Sequence, residues 1–178
     1  MSAPVVCNAG PLMVLAKLNL LHLLQELYGR VRIARSVYEE VVTAGIRQGY
    51  EDATTLRLFL DQTGWKPEDV DPAGVPDDLR EALLDRGERD TLALAVGLGN
   101  ALVLMDEAAG REVARRRRLA VRGSLGVLIE SYRQKRIGAD QLRLYLAEIA
   151  RREDIWISGA LVARLVQEVL DGPEAEAP

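Results

Sequence analysis

The chain carries one cysteine, one histidine, no apolar run long enough to cross a bilayer and no excess of positive charge. Each shortage removes a class of protein. A single thiol, Cys7, excludes an internal disulfide, and its place in the apolar run Val5-Val6-Cys7 makes it a small core residue, so a cytoplasmic setting is expected. The single imidazole, His22, lies on the polar side of a leucine-rich helix, and no second histidine supports a His-based mechanism. No basic segment followed by a long apolar one opens the chain, so neither a signal peptide nor a membrane anchor is expected. A net charge of -4 gives no general attraction for nucleic acid, so such binding must come from local patches or from metal ions. Three nucleotide or phosphate motifs are also missing. There is no Gly-x-Gly-x-x-Gly after the first strand, no Gly-x-x-x-x-Gly-Lys-Ser/Thr, and no acidic pair where Asn8-Ala9 stands.

What is present is an ordinary globular composition, 178 residues with 48% hydrophobic and 28% charged, enough for one domain with a full core. Short β-rich runs alternate with longer amphipathic stretches, the pattern of βαβ units and a parallel sheet. Strands are predicted at Val5–Asn8, Val31–Ala34, Ala101–Met105 and Leu119–Val121, with a short one allowed at Trp65, about five in all. Gly10-Pro11 opens the first helix. Ser36 is a plausible N-cap for a helix carrying Val37, Val41 and Val42. Helices are expected over 50–62, 86–98 and 108–118, and Gly99-Asn100 is a good C-cap pair. The expected organisation is a main domain over 1–137, a helical C-terminal extension of it over 138–172 and a disordered tail over 173–178.

The chemistry gathers at Asn8, Glu40, Glu88 and Asp106. In an open parallel sheet, ligands bind beyond the carboxyl ends of the strands where strand order reverses, and Asn8 and Asp106 close two predicted strands. If those strands are neighbours, the two side chains face each other. Glu88 shares a helix face with Thr91, Leu92 and Ala95, whereas Asp90 lies roughly 200° around. Clustered carboxylates repel unless a cation joins them or one takes a proton. Mg²⁺ or Mn²⁺ is a hard oxygen-seeking ion that generates hydroxide and stabilises charge on a phosphodiester. Each residue also has a plain structural reading. Glu88 could serve the helix dipole, Glu40 a solvated face, Asp106 and Asn8 a cap or turn.

These segments resemble the PIN-domain family. Val6-Cys7-Asn8-Ala9-Gly10-Pro11-Leu12 resembles its opening, where Asp usually fills the position of Asn8. Ser36-Val37-Tyr38-Glu39-Glu40-Val41 resembles the second acidic motif, Gly87-Glu88 through Ala95 the third, and Leu104-Met105-Asp106-Glu107 with Gly110-Arg111 the fourth. Gly123-Ser124-Leu125-Gly126-Val127-Leu128 and Trp156-Ile157-Ser158 resemble the DUF3368 branch. The resemblance implies a Rossmann-like three-layer α/β/α domain and a Mg²⁺- or Mn²⁺-dependent ribonuclease. It also implies a toxin-antitoxin role beside a small antitoxin protein, and a homodimer.

The expected function is therefore a divalent-metal-dependent endoribonuclease that leaves 5′-phosphate ends. Asp106, Glu88 and Glu40 would hold metal or its waters, and Asn8 would complete the shell and orient the attacking water. Arg111, Arg115 and Ser124 are candidate substrate contacts. Arg111 could instead pair with Glu107, Ser124 could only cap a helix, and Arg115 to Arg118 could be a solvated face. The alternative is a weakly active or inactive RNA- or protein-binding module, since Asn8 removes one charge. A third reading is a dimeric partner-binding protein that uses the Leu-rich C-terminal helices.

Overall fold

Three apolar triplets pair in parallel to form the central sheet, in the order β1 (Val5–Cys7), β2 (Leu102–Leu104), β3 (Ala120–Arg122). The computed structural model of the chain describes residues 3–171. Val5 stands opposite Leu102 and Cys7 opposite Leu104, which in turn faces Arg122. Every residue of β1 is buried, as expected of a parallel strand covered on both faces.

The sheet has three strands where the sequence predicts about five. The Val31–Ala34 run joins β1 through one bridge, Val6 to Arg32, and reaches Glu68 through another at Ala34. Arg32 N–H donates to Val5 O at 2.8 Å, and Glu68 N–H to Ile33 O at 2.9 Å. A helix begins at Arg35, so the extended run stops before a ladder of successive pairs can form. No strand forms at Trp65, whose ring stands edge-on to Phe59 at 5.3 Å.

The helices follow in order. α1 (Ala9–Lys17) starts directly after Asn8, and α2 (His22–Tyr28) ends at Gly29. α3 (Arg35–Tyr38) runs into a π-helical stretch (Glu39–Ala44) and on into α4 (Gly45–Arg47). Ala34, not Ser36, holds the N-cap position of α3. Ser36 lies inside the helix with its buried hydroxyl unbonded, since the helix already starts one residue earlier at Arg35, where Tyr38 N–H bonds Ala34 O at 3.1 Å. α5 (Glu51–Thr63) stops at Gly64, which is left-handed at φ 69°. A 3₁₀ turn (Pro72–Gly74), α6 (Asp77–Glu81), α7 (Arg86–Gly97) and α8 (Ala108–Arg116) complete this part.

These helices cover both faces of the sheet in a three-layer α/β/α arrangement. Val6, Val103 and Met105 share one buried cluster with Leu79 of α6, Leu92 and Ala95 of α7 and Ala114 of α8. Leu92 is fully buried, and truncating such a leucine to alanine costs roughly 2–5 kcal/mol. α1 packs against α5, with Leu12, Leu15, Leu56 and Leu60 buried.

The chain forms two compact units, one up to Ser124 and one from Leu125 onward. The second unit holds the remainder of α9 (Ser124–Arg133) with α10 (Ala139–Arg151) and α11 (Gly159–Val169). α10 packs against α11, burying Leu142, Leu146 and Val162, and Arg143 donates to Asp171 at 2.5 Å. The tail expected over 173–178 lies outside the described residues. Among the described residues, no helix is long and apolar enough to cross a membrane.

Candidate functional site

Chain order reverses across β1. The Arg32 bridge lies on one side of this strand and β2 on the other, so the crevice beyond the carboxyl ends of β1 and β2 is a topological switch point. Asn8 follows β1 directly, and Asp106 and Glu107 follow β2. α7 packs against β1, β2 and α3, which delivers Glu88 from one side and Glu40 from the π-helical stretch after α3. π-helical turns recur at functional sites because the extra residue re-aims side chains.

Asn8 is buried and satisfied at both ends of its amide. Nδ2 donates to Glu107 Oε2 at 3.1 Å, and Oδ1 accepts from Thr91 Oγ1 at 3.2 Å. An ionised carboxylate can only accept, which fixes the amide nitrogen toward Glu107. Asp106 accepts twice from Ser124, Oδ1 from the backbone N–H at 2.7 Å and Oδ2 from the hydroxyl at 2.5 Å. Glu88 sits in a capping box. Its Oε2 accepts the Asp85 N–H at 2.9 Å, and Asp85 Oδ1 accepts the Glu88 N–H at 2.7 Å. Beyond the dipole role expected of it, Glu88 thus caps its helix with one oxygen, while Oε1 points toward Gly110.

Four glycines wall these acids. A Cβ at Gly10 would meet Glu107 Oε1 at 2.9 Å and Asp106 Oδ2 at 3.1 Å. At Gly87 it would meet Glu40 Oε2 at 3.0 Å, at Gly110 Glu88 Oε1 at 3.4 Å, and at Gly123 Asp106 Oδ1 at 2.7 Å. Their absent side chains leave the space that the carboxylates occupy.

The electrostatics bear out the crowding. Burial pushes the Glu40 carboxyl up, and the charges of Asp85, Glu107 and Glu88 add to it, although the side chain remains open to solvent. Burial also raises Glu88, opposed by the Asp85 backbone N–H and reinforced by the Asp85 and Glu107 charges. Arg111 is lowered, first by burial and then by Arg115, while Asp106 pulls it back.

Arg111 donates Nη1 to Met105 O at 2.8 Å, at the end of the strand segment. The basic run divides. Arg116, exposed, bonds Glu112 at 3.0 Å, and Arg117, partly covered, bonds Asp78 at 2.9 Å, whereas the charge of Arg115 lowers the pKa of Arg111. His22 is exposed.

Three partners escape a reading of the sequence. Glu107 and Asp85 belong to the acidic cluster, and Thr91, expected on the Glu88 face, bonds Asn8. Asp85-x-x-Glu88 is a legible capping-box pattern. Glu107 offers only its position beside Asp106.

Among the described residues, no three His, Cys, Asp or Glu side chains stand ready to hold one ion. The donor set still fits a hard divalent cation. All its atoms are oxygens, and Mg²⁺ keeps several waters and takes only one or two carboxylates directly. Glu40 Oε2 and Glu88 Oε1 make no hydrogen bond within the cluster, and Asp106 and Glu107 border the same glycine.

No curated protein and no solved structure matches the chain. The DUF3368 family, PIN domain, matches residues 4–171, nearly the whole length. Together with the α/β/α layers and the acids at the switch point, this match shows that the chain belongs to the DUF3368 family of PIN domains.

Proposed function

We propose that the protein is a divalent-metal-dependent endoribonuclease, the toxin of a toxin-antitoxin pair. PIN domains are generally nucleases and typically use divalent metal ions, which supports the hydrolase class. The observation that carries the reading is the convergence of Asp106, Glu107, Glu88 and Glu40 oxygens on side-chain-free glycines beyond the strand ends, with the Glu40 and Glu88 carboxyls both raised among their acidic neighbours. Such mutual repulsion is relieved by a cation.

Asp106, Glu88 and Glu40 would hold Mg²⁺ or Mn²⁺, directly or through water. The bound ion would supply hydroxide near neutral pH and stabilise charge on the phosphodiester. Ser124 fixes Asp106 through two hydrogen bonds. Glu40 is open to solvent, which suits contact with the ion through one of its waters. Arg111, whose Nη1 and Asp106 Oδ1 both border Gly123, and Arg115, whose charge reaches Arg111, suit the phosphates flanking the cut. Asn8 acts from inside the protein, through the group its amide holds. A homodimer, a small antitoxin protein and a cytoplasmic setting complete this reading, on the strength of the family resemblance.

One observation favours a second reading, an RNA- or protein-binding module. Asn8 carries no charge, and its carbonyl oxygen is taken by Thr91. The ends of the RNA products separate the two. Incubation of single-stranded RNA with Mn²⁺ is expected to leave 5′-phosphate and 3′-hydroxyl ends. Ends bearing 2′,3′-cyclic phosphate would contradict attack by water, and retention of uncut RNA would favour the module.

A further inference from the structure

Asn8 brings no charge to the centre, and both ends of its amide are engaged inside the protein. The nitrogen is given to Glu107 at 3.1 Å and the oxygen to Thr91 at 3.2 Å. Glu107 is only half-buried, and the oxygen not held by Asn8, Oε1, borders the same glycine as Asp106 Oδ2. These two atoms lie 2.9 and 3.1 Å from the one Cβ position at Gly10, so two carboxylates from successive residues open onto one small space.

Strand geometry would send successive side chains to opposite sides. β2 ends at Leu104, however, and α8 starts at Ala108. Asp106 and Glu107 lie in the irregular step between, where alternation no longer applies. Glu107 is the N-cap residue of α8, yet its side chain makes no cap bond. Arg111, one turn along, gives Nη1 to Met105 O. The Glu107 carboxylate is therefore aimed by Asn8 rather than spent on its own helix.

We propose that Glu107 supplies the charge that position 8 lacks, with Asn8 as the positioning residue that holds it toward the metal beside Asp106. This rests on the metal-dependent reading above. It follows that Asn8→Asp does not restore a missing ligand. It deletes the donor and sets a second carboxylate against Glu107 at hydrogen-bond distance, where like charges repel.

The pair can be reversed. In Asn8→Asp/Glu107→Gln the acceptor sits at 8 and the donor at 107, with one negative charge as in the native pair. Mn²⁺ titration by calorimetry on the full chain, with thermal unfolding in EDTA, compares the native protein, both single variants and the double variant. Glu107→Gln keeps the size and the acceptor. It is expected to lose about tenfold or more in Mn²⁺ affinity, the scale seen when groups around a metal are altered. Its unfolding temperature in EDTA should not fall. Asn8→Asp is expected to unfold at lower temperature in EDTA. The double variant should recover most of the lost affinity, the non-additivity of residues in contact.

Unchanged Mn²⁺ affinity in Glu107→Gln would overturn this inference alone, leaving the metal-dependent reading in place. So would a double variant no better than Glu107→Gln, or an Asn8→Asp protein as stable as the native one in EDTA. A native chain that binds no Mn²⁺ would overturn both.

Discussion

Asp106 and Ser124 meet through two hydrogen bonds, one from the Ser124 backbone N–H at 2.7 Å and one from its hydroxyl at 2.5 Å. Ser124 is completely buried, so the hydroxyl bond to the carboxylate is made away from water. Removing it in Ser124→Ala leaves Asp106 Oδ2 without that donor. Bonds to charged groups are worth about 1.5–3 kcal/mol. The variant is expected to lose stability on that scale in urea unfolding, and to bind Mn²⁺ more weakly because Asp106 is no longer held.

Glu40 and Glu88 give the metal-free protein a definite pH response. Both carboxyls are raised from the ordinary glutamate value of 4.5 in the folded state, by burial first. The folded chain therefore holds these protons more tightly than the unfolded chain. Their contribution to stability falls as pH rises from 4.5 through the raised folded values. Glu40→Gln removes one such group. The stability difference, variant minus native, in EDTA is expected to be larger at pH 7 than at pH 4.5, measured by thermal unfolding at each pH. A difference independent of pH would contradict the crowding of Glu40 by Asp85, Glu107 and Glu88.

Gly110 sets two effects against each other. It lies within α8, where alanine is favoured over glycine by roughly 0.5–1 kcal/mol. A Cβ there would stand 2.2 Å from Met105 Sδ and 3.1 Å from its Cε, and Met105 is completely buried, so its displacement must be absorbed by a close-packed core. Overpacking of this kind costs about 1–3 kcal/mol, so the clash wins. Gly110→Ala is expected to unfold at lower temperature, and a gain in stability would contradict the close approach of α8 to the strand end.

Arg115 tests the electrostatic contact with RNA. If it meets a phosphate, Arg115→Ala should weaken RNA binding evenly across sequences and reduce the salt slope by about 1. Arg116→Ala, which breaks an exposed pair with Glu112, is expected to leave that slope nearly unchanged. Filter binding over a salt series in EDTA reads both. Equal effects from the two would contradict a specific role for the Arg111–Arg115 side of α8.

Much of this was legible in the residues, and the rest was not for identifiable reasons. The apolar triplet before Asn8 and the run before Asp106 marked two strand ends, and their adjacency follows from the parallel pairing of Val5 with Leu102. Helical spacing put Glu88 and Thr91 on one face, though not the bond from Thr91 to Asn8, which depends on how closely α7 approaches β1. The strand count was overestimated because apolar β-branched runs such as Val31–Ala34 signal extended backbone, not ladder length, and a helix cuts this one short at Arg35. The π-helical turn that carries Glu40 has no period-3.6 signature. Glu107 is legible in the sequence only as a partner for Arg111, because its turn toward Asn8 depends on the irregular step after Leu104.

The most direct test of the central claim is cleavage of a mixed-structure RNA pool in Mn²⁺ or Mg²⁺ by the native protein and by Asp106→Ala, each with and without EDTA. Metal-dependent cleavage by the native protein, lost in the variant and in EDTA, is expected. Equal cleavage by both proteins, or cleavage that persists in EDTA, would contradict a metal-dependent nuclease centred on Asp106.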